Sequence, residues 1–178
     1  MSEKRTADTA AESPAATKAG KLTYLSNINN ALDKKHEVTS YQEVLKLPPS
    51  ALQGLADHAD ATFADLHVRT IGELGSWKYF RFARAVVELS KLEEAGKRAE
   101  GNRQNLNKAL DQAWETRSLV DIAGAPIEAL QGVGPKAGES LAKLGLKTIS
   151  DLADYKFCRW AEAIVAAAEF ENADFSSR

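Results

Sequence analysis

The chain contains 178 residues, of which 44% are hydrophobic and 27% are charged, and its formal net charge is −2. Those proportions are ordinary for a soluble globular protein, and no apolar run approaches the roughly 18 residues that a transmembrane helix needs. A single cysteine, Cys158, excludes an intramolecular disulfide, so we expect a soluble protein in a reducing compartment. That compartment is the cytoplasm or, if a transit peptide has been removed, the interior of an organelle.

The first twenty residues differ in composition from the rest of the chain. Residues 1–20 are rich in Ala, Thr, Ser and Glu, contain Pro14, and show no periodic apolar pattern. Such a segment buries too little apolar surface to fold by itself, so we predict a tail that is disordered or that orders only on a partner. From Leu22 onward the apolar spacing is helical almost throughout and no stretch alternates as a strand would, which predicts an all-α fold.

Capping residues and prolines predict the first helices in chain order. A first helix is expected over about 22–36. Ser40 and Glu43 have the spacing of a capping box, and they open a short helix that a proline closes. Two further short helices are expected around a tight turn, at about 50–57 and 59–67.

A long helix ends the first part of the chain. Thr70 with Glu73 forms a second capping box, and a helix follows over about 77–97. Its core-facing side is predicted from the i, i+3, i+4, i+7, i+8 spacing of Tyr79, Phe82, Ala83, Val86 and Val87. The mixed charges between Gly96 and Gly101 indicate a joint between domains or, alternatively, a bend in one long helix.

The second part of the chain repeats the first. Residues 105–165 align with residues 27–87 without a gap, and 23 of the 61 aligned positions are identical. A repeat of this length indicates a duplicated domain, because each copy can hold its own small core. We therefore predict two homologous helical domains, at 21–98 and 99–178, that pack with approximate two-fold pseudosymmetry. Alternatively, the joint at 96–101 holds them apart.

The repeat provides an internal comparison. In the second copy the corresponding helices are expected at about 128–132, 135–145 and 155–171, and Thr148 with Asp151 repeats the second capping box. What both copies keep is interpreted as architecture, and what only one copy keeps is a candidate for function.

The turn between the two short helices of the second copy has a mechanism of its own. Gly132 and Gly134 allow positive φ and a close backbone approach, while Val133 can plug the space between the helices. Pro135 suits the first turn of the next helix, where its missing N–H costs nothing. The free N–H groups at that helix start favour a phosphate oxygen, and three nearby lysines add positive charge.

This turn resembles that of the helix-hairpin-helix family, in which an apolar helix, a glycine–hydrophobic–glycine turn and an Ala-bearing helix follow one another. The resemblance is carried by Leu130, Gly132, Val133, Gly134, Pro135, Lys136, Ala137, Leu141 and Leu144. In that family the turn grips the sugar-phosphate backbone without reading bases. The resemblance therefore implies phosphate-backbone contacts from Gly132, Val133, Gly134, Lys136, Ala137, Lys143 and Lys147. Hairpins of this family also serve as packing modules that bind no nucleic acid.

The first copy departs from the family pattern at the same turn. Gly54 is kept, but the second glycine and the proline are replaced by Ala56 and Asp57, and Asp60 adds another carboxylate. Asp65 stands where the second copy has a lysine. Because carboxylates repel phosphate, we predict that the first hairpin is structural only.

A second candidate surface lies at the start of the two long helices. It consists of two basic pairs and the aromatic residue before each pair, namely Trp77, Lys78, Arg81, Tyr155, Lys156 and Arg159. One interpretation is a solvated helix face with ion pairs to Glu73 and Asp151. The other is a docking surface for a protein partner, because Trp, Tyr and Arg are common interface anchors.

The sequence predicts no enzyme. All three histidines lie in the first copy without counterparts in the second, and Cys158 has no metal-ligand spacing to them, so we expect no catalytic residue, cofactor or metal. With no strongly basic segment, the preferred function is a non-enzymatic scaffold or linker subunit that binds protein partners within a larger assembly. The alternative is a structure-selective, sequence-independent DNA- or RNA-binding accessory protein that uses the second hairpin.

Overall fold

A computed structural model describes residues 26–172, and the predicted tail at 1–20 lies outside this range. Every regular element in the described range is helical, which confirms the all-α class. Pairing of extended backbone within residues 26–172 is limited to isolated bridges, such as Leu32 with Leu52 and Leu110 with Leu130. No helix in the described part of the chain is both long enough and apolar enough to cross a membrane.

Eight α-helices and six 3-10 turns make up the described elements. The α-helices are α1 (Tyr41–Val44), α2 (His58–Ala64), α3 (Ile71–Gly75), α4 (Lys78–Ser90), α5 (Leu119–Ala123), α6 (Pro135–Lys143), α7 (Ile149–Ala153) and α8 (Lys156–Ala168). The 3-10 turns span Asn29–Ala31, Lys34–His36, Pro49–Ala51, Asn107–Ala109, Gln112–Trp114 and Ile127–Ala129. We name residues 26–94 the N-terminal half and residues 104–172 the C-terminal half, because equivalent elements in the two lie 78 positions apart.

The predicted capping boxes begin three of the short helices. The Ser40 hydroxyl accepts a hydrogen bond from the Glu43 N–H, and the Glu43 carboxylate accepts one from the Ser40 N–H. The boxes that begin at Thr70 and Thr148 are confirmed in the same way. Each box satisfies N–H groups that a helix start leaves without an intrahelical acceptor, which fixes where the helix begins.

Several boundaries differ from the sequence prediction. The helix expected over about 22–36 is absent from its described part, because Asp33 and Gln53 instead donate backbone hydrogen bonds to the carbonyls of Ala51 and Ala31. That pairing holds the backbone extended at Leu32, between two single 3-10 turns. The first helix of each hairpin is likewise only one 3-10 turn, and α4 ends at Ser90 rather than near residue 97.

The buried side of α4 is also rotated from its predicted position. Phe80 is fully buried, whereas Tyr79 and Phe82 are only half-buried; Ala83 and Val86 are buried as expected. Helix α4 therefore buries a wider side than the predicted stripe, and its contacts with α5 and α7 of the other half were not revealed by the repeat pattern.

The two long helices each pack on the opposite half. Helix α4 lies mainly against α5 and α7, and α8 lies mainly against α3 and α1. The buried apolar side chains of both halves consequently form one continuous cluster. Stability of either half therefore depends on a helix that the other half supplies.

Two glutamates also bind helix starts in the half opposite to their own. The Glu93 carboxylate accepts hydrogen bonds from the N–H groups of Leu119 and Val120, at 3.0 and 3.3 Å, at the start of α5. Glu171, 78 positions later, accepts from Tyr41 and Gln42 at 2.9 Å each, at the start of α1. A carboxylate at a helix N-terminus satisfies free donors and opposes the helix dipole, so each half stabilises a helix of the other.

Backbone contact between the halves is closest where α3 meets α8. A Cβ placed on Gly75 would lie 2.4 Å from the Ala161 carbonyl oxygen. Only glycine fits such an approach, because even the smallest side chain would overlap main-chain atoms. Nearby, Arg84 of α4 forms an ion pair with Glu162 of α8, and these two residues occupy the same position in their respective halves.

Candidate functional site

The turn of the second hairpin is shaped by one glycine, one buried valine and one proline. Gly132 has φ of +89°, a conformation that favours glycine, and Val133 is buried beneath the turn as predicted. Gly134 differs from the expectation of positive φ: its φ of −74° and ψ of 169° are those of an extended N-cap residue. Pro135 is the first residue of α6, a position at which an N–H would have no acceptor within the helix, so its absence costs nothing.

Four backbone N–H groups of this turn are available to a ligand. Within residues 26–172, the N–H groups of Gly132, Gly134, Lys136 and Ala137 have no protein acceptor, and the first intrahelical bond of α6 comes from Gly138. Gly132, Gly134 and Lys136 are exposed. Free donors at the positive end of a helix dipole suit an anion, so the geometry is compatible with a phosphate oxygen.

The charge around the turn is mixed. Lys143 and Lys147 are exposed, and Lys143 ends α6 while Lys147 lies before α7. Next to Lys147, burial alone would raise the pKa of Asp151, but hydrogen bonds from Thr148 and from the Lys147 N–H outweigh that effect and the pKa is lowered. Asp151 therefore stays ionised and partly offsets the charge of Lys147.

The other half of the chain reaches the turn from two sides. The Tyr79 hydroxyl donates a 3.0 Å hydrogen bond to the Gln131 carbonyl, and a Cβ at Gly132 would lie 2.7 Å from that hydroxyl oxygen. The start of α6 borders a cleft of about 320 Å³. One side is lined by Gly134, Lys136, Ala137 and Ser140, and the other by Thr62 of α2 and by Asp65 and Leu66, which follow that helix. A phosphate entering this cleft would meet the carboxylate of Asp65 as well as the cation of Lys136.

Tyr79 was not expected at this site. Its equivalent in the second copy is Phe157, which has no hydroxyl, and that difference is the signal in the sequence that distinguishes the two positions. The hydroxyl narrows access to the turn and fixes the Gln131 carbonyl, so Tyr79 positions the turn from the opposite half.

The first hairpin differs from the second in its hydrogen bonds and in its charge. The N–H groups of Ala59 and Asp60 donate to the carbonyls of Ala56 and Asp57, at 2.9 and 3.1 Å. The Asp60 carboxylate accepts a 2.9 Å hydrogen bond from the Ser50 N–H, at the preceding 3-10 turn. Within residues 26–172 the first turn still has four N–H groups without a protein acceptor, those of Gly54, Ala56, Asp57 and His58, so the number of free donors does not distinguish the two turns. What differs is the carboxylates of Asp57 and Asp60, which oppose an anion at the first turn, and Asp60 also has a structural role.

The predicted partner surface is divided by burial. The prediction that Trp77 lies on the surface is wrong. Its side chain is only 5% exposed and packs edge-to-face on Phe63 and Tyr79. Tyr155 is half-buried between Phe63 and Phe157, and this burial raises the pKa of its hydroxyl. The aromatic residues before α4 and α8 thus serve the core, because both helices start at the junction between the halves.

The basic residues of that surface are exposed. These residues are Lys78, Arg81, Lys156 and Arg159. The ion pairs suggested between these cations and Glu73 or Asp151 are absent from residues 26–172. The Glu73 carboxylate accepts the N–H groups of Arg69 and Thr70, and the Asp151 carboxylate accepts those of Lys147 and Thr148. Lys78 lies over the Tyr79 ring at 4.6 Å, and Lys156 lies over the Phe157 ring at 4.7 Å. The four cations therefore remain a solvent-facing set.

A different group of side chains is exposed and apolar. Leu92 is 78% exposed and Phe170 is 88% exposed, and they occupy equivalent positions just before the capping residues Glu93 and Glu171. Val120, whose N–H is held by Glu93, is 60% exposed. We name Leu92, Val120 and Phe170 the helix-end residues. Periodicity placed them on helices but gave no reason to single them out.

Groups suited to catalysis or metal binding are scarce in the described range. No three His, Cys, Asp or Glu side chains within residues 26–172 lie close enough together to hold a metal ion. Cys158 is fully buried, and burial raises the pKa of its thiol, so it packs as a small apolar residue.

Comparison with known proteins found no counterpart: no family model, curated protein or solved structure matches this chain.

Proposed function

We propose that the chain is a tandem duplication of helix-hairpin-helix units that acts as a non-enzymatic scaffold or linker subunit and binds protein partners in a larger assembly. The observation that carries this proposal is the exposure of Leu92 and Phe170 at matched ends of the protein. Single exposed apolar residues are common on protein surfaces, but these two recur at one position of the repeat. Burying such a side chain against a partner would contribute about 1.5–3 kcal/mol.

The duplication is supported by the recurrence of elements and contacts at an offset of 78 positions. Helix α3 packs on α8 as α7 packs on α4, and the Glu93 and Glu171 caps correspond in the same way. A scaffold with this arrangement presents two similar ends, and each end carries one exposed apolar side chain next to a carboxylate fixed by hydrogen bonds.

The scaffold proposal is tested by paired purification of binding partners. Tagged wild-type chain and the double variant Leu92→Ser, Phe170→Ser are used to isolate proteins from the native source, followed by quantitative mass spectrometry. The matched control is Val38→Ser, because Val38 is 95% exposed but its equivalent in the repeat, Thr116, is polar. We expect partners to be lost from the double variant and kept by the control. Equal recovery with all three chains contradicts the proposal.

A second function is favoured by the four free N–H groups of the second hairpin. These donors, with Lys136, would hold one phosphate of a DNA or RNA backbone without reading its bases. Lys143 and Lys147 would add attraction, whereas Asp65 would weaken it. Because few phosphates would be neutralised, we expect weak binding with a shallow dependence on salt concentration.

The nucleic-acid function is tested by fluorescence anisotropy with labelled duplex, single-stranded and forked DNA at two salt concentrations. The variant Gly134→Asp with Lys136→Glu should lose binding while keeping its fold, since aspartate is a favourable N-cap residue. Its counterpart, Ala56→Asp with His58→Glu in the first hairpin, adds acid at the equivalent positions and should bind as the wild type does. Equal loss in both variants would indicate a general charge effect rather than a site.

A further inference from the structure

The surface between the two halves is self-complementary. The main helix contacts and the two glutamate caps between the halves occur in reciprocal pairs. Glu93 binds the start of α5 and Glu171 binds the start of α1; α4 packs on α5 and α7, while α8 packs on α1 and α3. Reciprocity of this kind is the property of an isologous interface, which ordinarily joins two identical subunits through a two-fold axis.

We propose that this surface also joins two copies of the chain, by exchange of halves. The N-terminal half of one copy packs on the C-terminal half of the other, and the remaining two halves pair in the same way. No new contact is needed, because every helix meets the same neighbours that it meets within one chain. Exchange of identical elements is a low-cost route to a dimer for this reason.

The connection between the halves permits such an exchange. Residues 95–103 are all exposed, and they include Gly96 and Gly101, around which a Cβ would meet nothing within 4 Å. The nine residues from 95 to 103 can extend to roughly 30 Å. The connection therefore does not oblige a half to pair with the other half of its own chain.

The ion pair between Arg84 and Glu162 determines which halves pair. These residues are equivalent in the repeat and contact each other, so they lie where the local two-fold axis passes. Two N-terminal halves would place Arg84 against a second Arg84, and two C-terminal halves would place Glu162 against a second Glu162. Like charges in contact disfavour both of those pairings, so the ion pair selects unlike halves within a chain and between chains.

The proposal is tested by mixing two full-length charge variants. Arg84→Glu has glutamate at both axial positions, and Glu162→Arg has arginine at both, so each variant alone opposes like charges whether it is closed or exchanged. Mixed together, they can form an exchanged dimer with an opposite-charge pair at each of its two axes. The two chains carry tags of different mass, are unfolded and refolded together, and are examined by native mass spectrometry and light scattering.

We expect the heterodimer to exceed either homodimer by several-fold, and the double variant Arg84→Glu, Glu162→Arg to behave as the wild type. The control pair is Glu94→Lys and Lys97→Glu, since that exposed ion pair is local to one chain and its variants, when mixed, should give heterodimer only in statistical proportion. If single variants fail to fold alone, recovery of folded heterodimer on mixing supports the proposal. A mixture that stays monomeric, stays unfolded, or forms heterodimer only in statistical proportion overturns it.

Discussion

Replacing Gly75 with alanine should destabilise the protein more than its single added methyl group suggests. The new Cβ would lie 2.4 Å from the Ala161 carbonyl oxygen and 2.7 Å from the Glu162 backbone nitrogen. Because these are main-chain atoms of α8, the overlap can be relieved only by moving α8 away from α3. Overpacking typically costs about 1–3 kcal/mol, and a backbone clash belongs at the upper end, so we expect a loss of about 3 kcal/mol. For a chain of this size that corresponds to a fall in Tm of about 6–12 °C.

The assay is urea denaturation followed by circular dichroism, with thermal unfolding as a second measurement. Gly124→Ala is the matched control, because a Cβ at Gly124 would meet its nearest neighbour, the Asp121 carbonyl oxygen, at an ordinary 3.7 Å. That control should change the free energy of unfolding by less than about 1 kcal/mol. If Gly75→Ala is as stable as Gly124→Ala, the close packing of α3 on α8 is not present in solution.

Three further predictions concern carboxylates and the single thiol. The pKa of Asp151 is lowered on folding, so the free energy of unfolding of the wild type should exceed that of Asp151→Asn. This difference should be complete above about pH 5 and should shrink as the pH falls below about 4. A difference that is unchanged at pH 3 would contradict this linkage. Glu93→Gln and Glu171→Gln should each lower the free energy of unfolding, measured in urea, by about 1 kcal/mol. Glu94→Gln, which alters only an exposed ion pair, should lower it by less than about 0.5 kcal/mol. Equal losses would show that the caps between the halves contribute nothing. Cys158 should react with a thiol reagent only on unfolding, and rapid modification of the folded protein would mean that the core opens around α8.

Local signals in the sequence predicted the helix starts well. The pairs Ser40–Glu43, Thr70–Glu73 and Thr148–Asp151 act over three residues, so their hydrogen bonds depend on neighbours that the sequence itself supplies. Val133 was placed beneath its turn for a similar reason, because Gly132 permits the positive φ of the turn and Pro135 fixes the start of the next helix. Elements of this kind need little information from distant parts of the chain.

Features that depend on distant residues were missed. The helix predicted over 22–36 does not form in its described part because Leu32 pairs with Leu52, and helical periodicity carries no information on a backbone pairing with a segment beyond α1. The packing of α4 and α8 on opposite halves of the chain was not predicted either. Two nearly equivalent halves offer similar surfaces, and the apolar pattern does not specify which half a helix covers. Trp77 was also predicted as a surface anchor, although it is buried against Phe63 and Tyr79, because composition alone does not distinguish an interface aromatic from a core aromatic.

The position of α8 in the chain has a consequence for folding during synthesis. The N-terminal half leaves the ribosome first, yet α1 and α3 lack their main neighbour until residues 156–168 have been made. Helix α4 likewise lacks α5 and α7 until residues 119–153 have been made, and until then its apolar side remains open to water or to a chaperone. The halves therefore cannot mature one after the other as independent domains usually do. The protein becomes stable late and in one step, once its last long helix is in place.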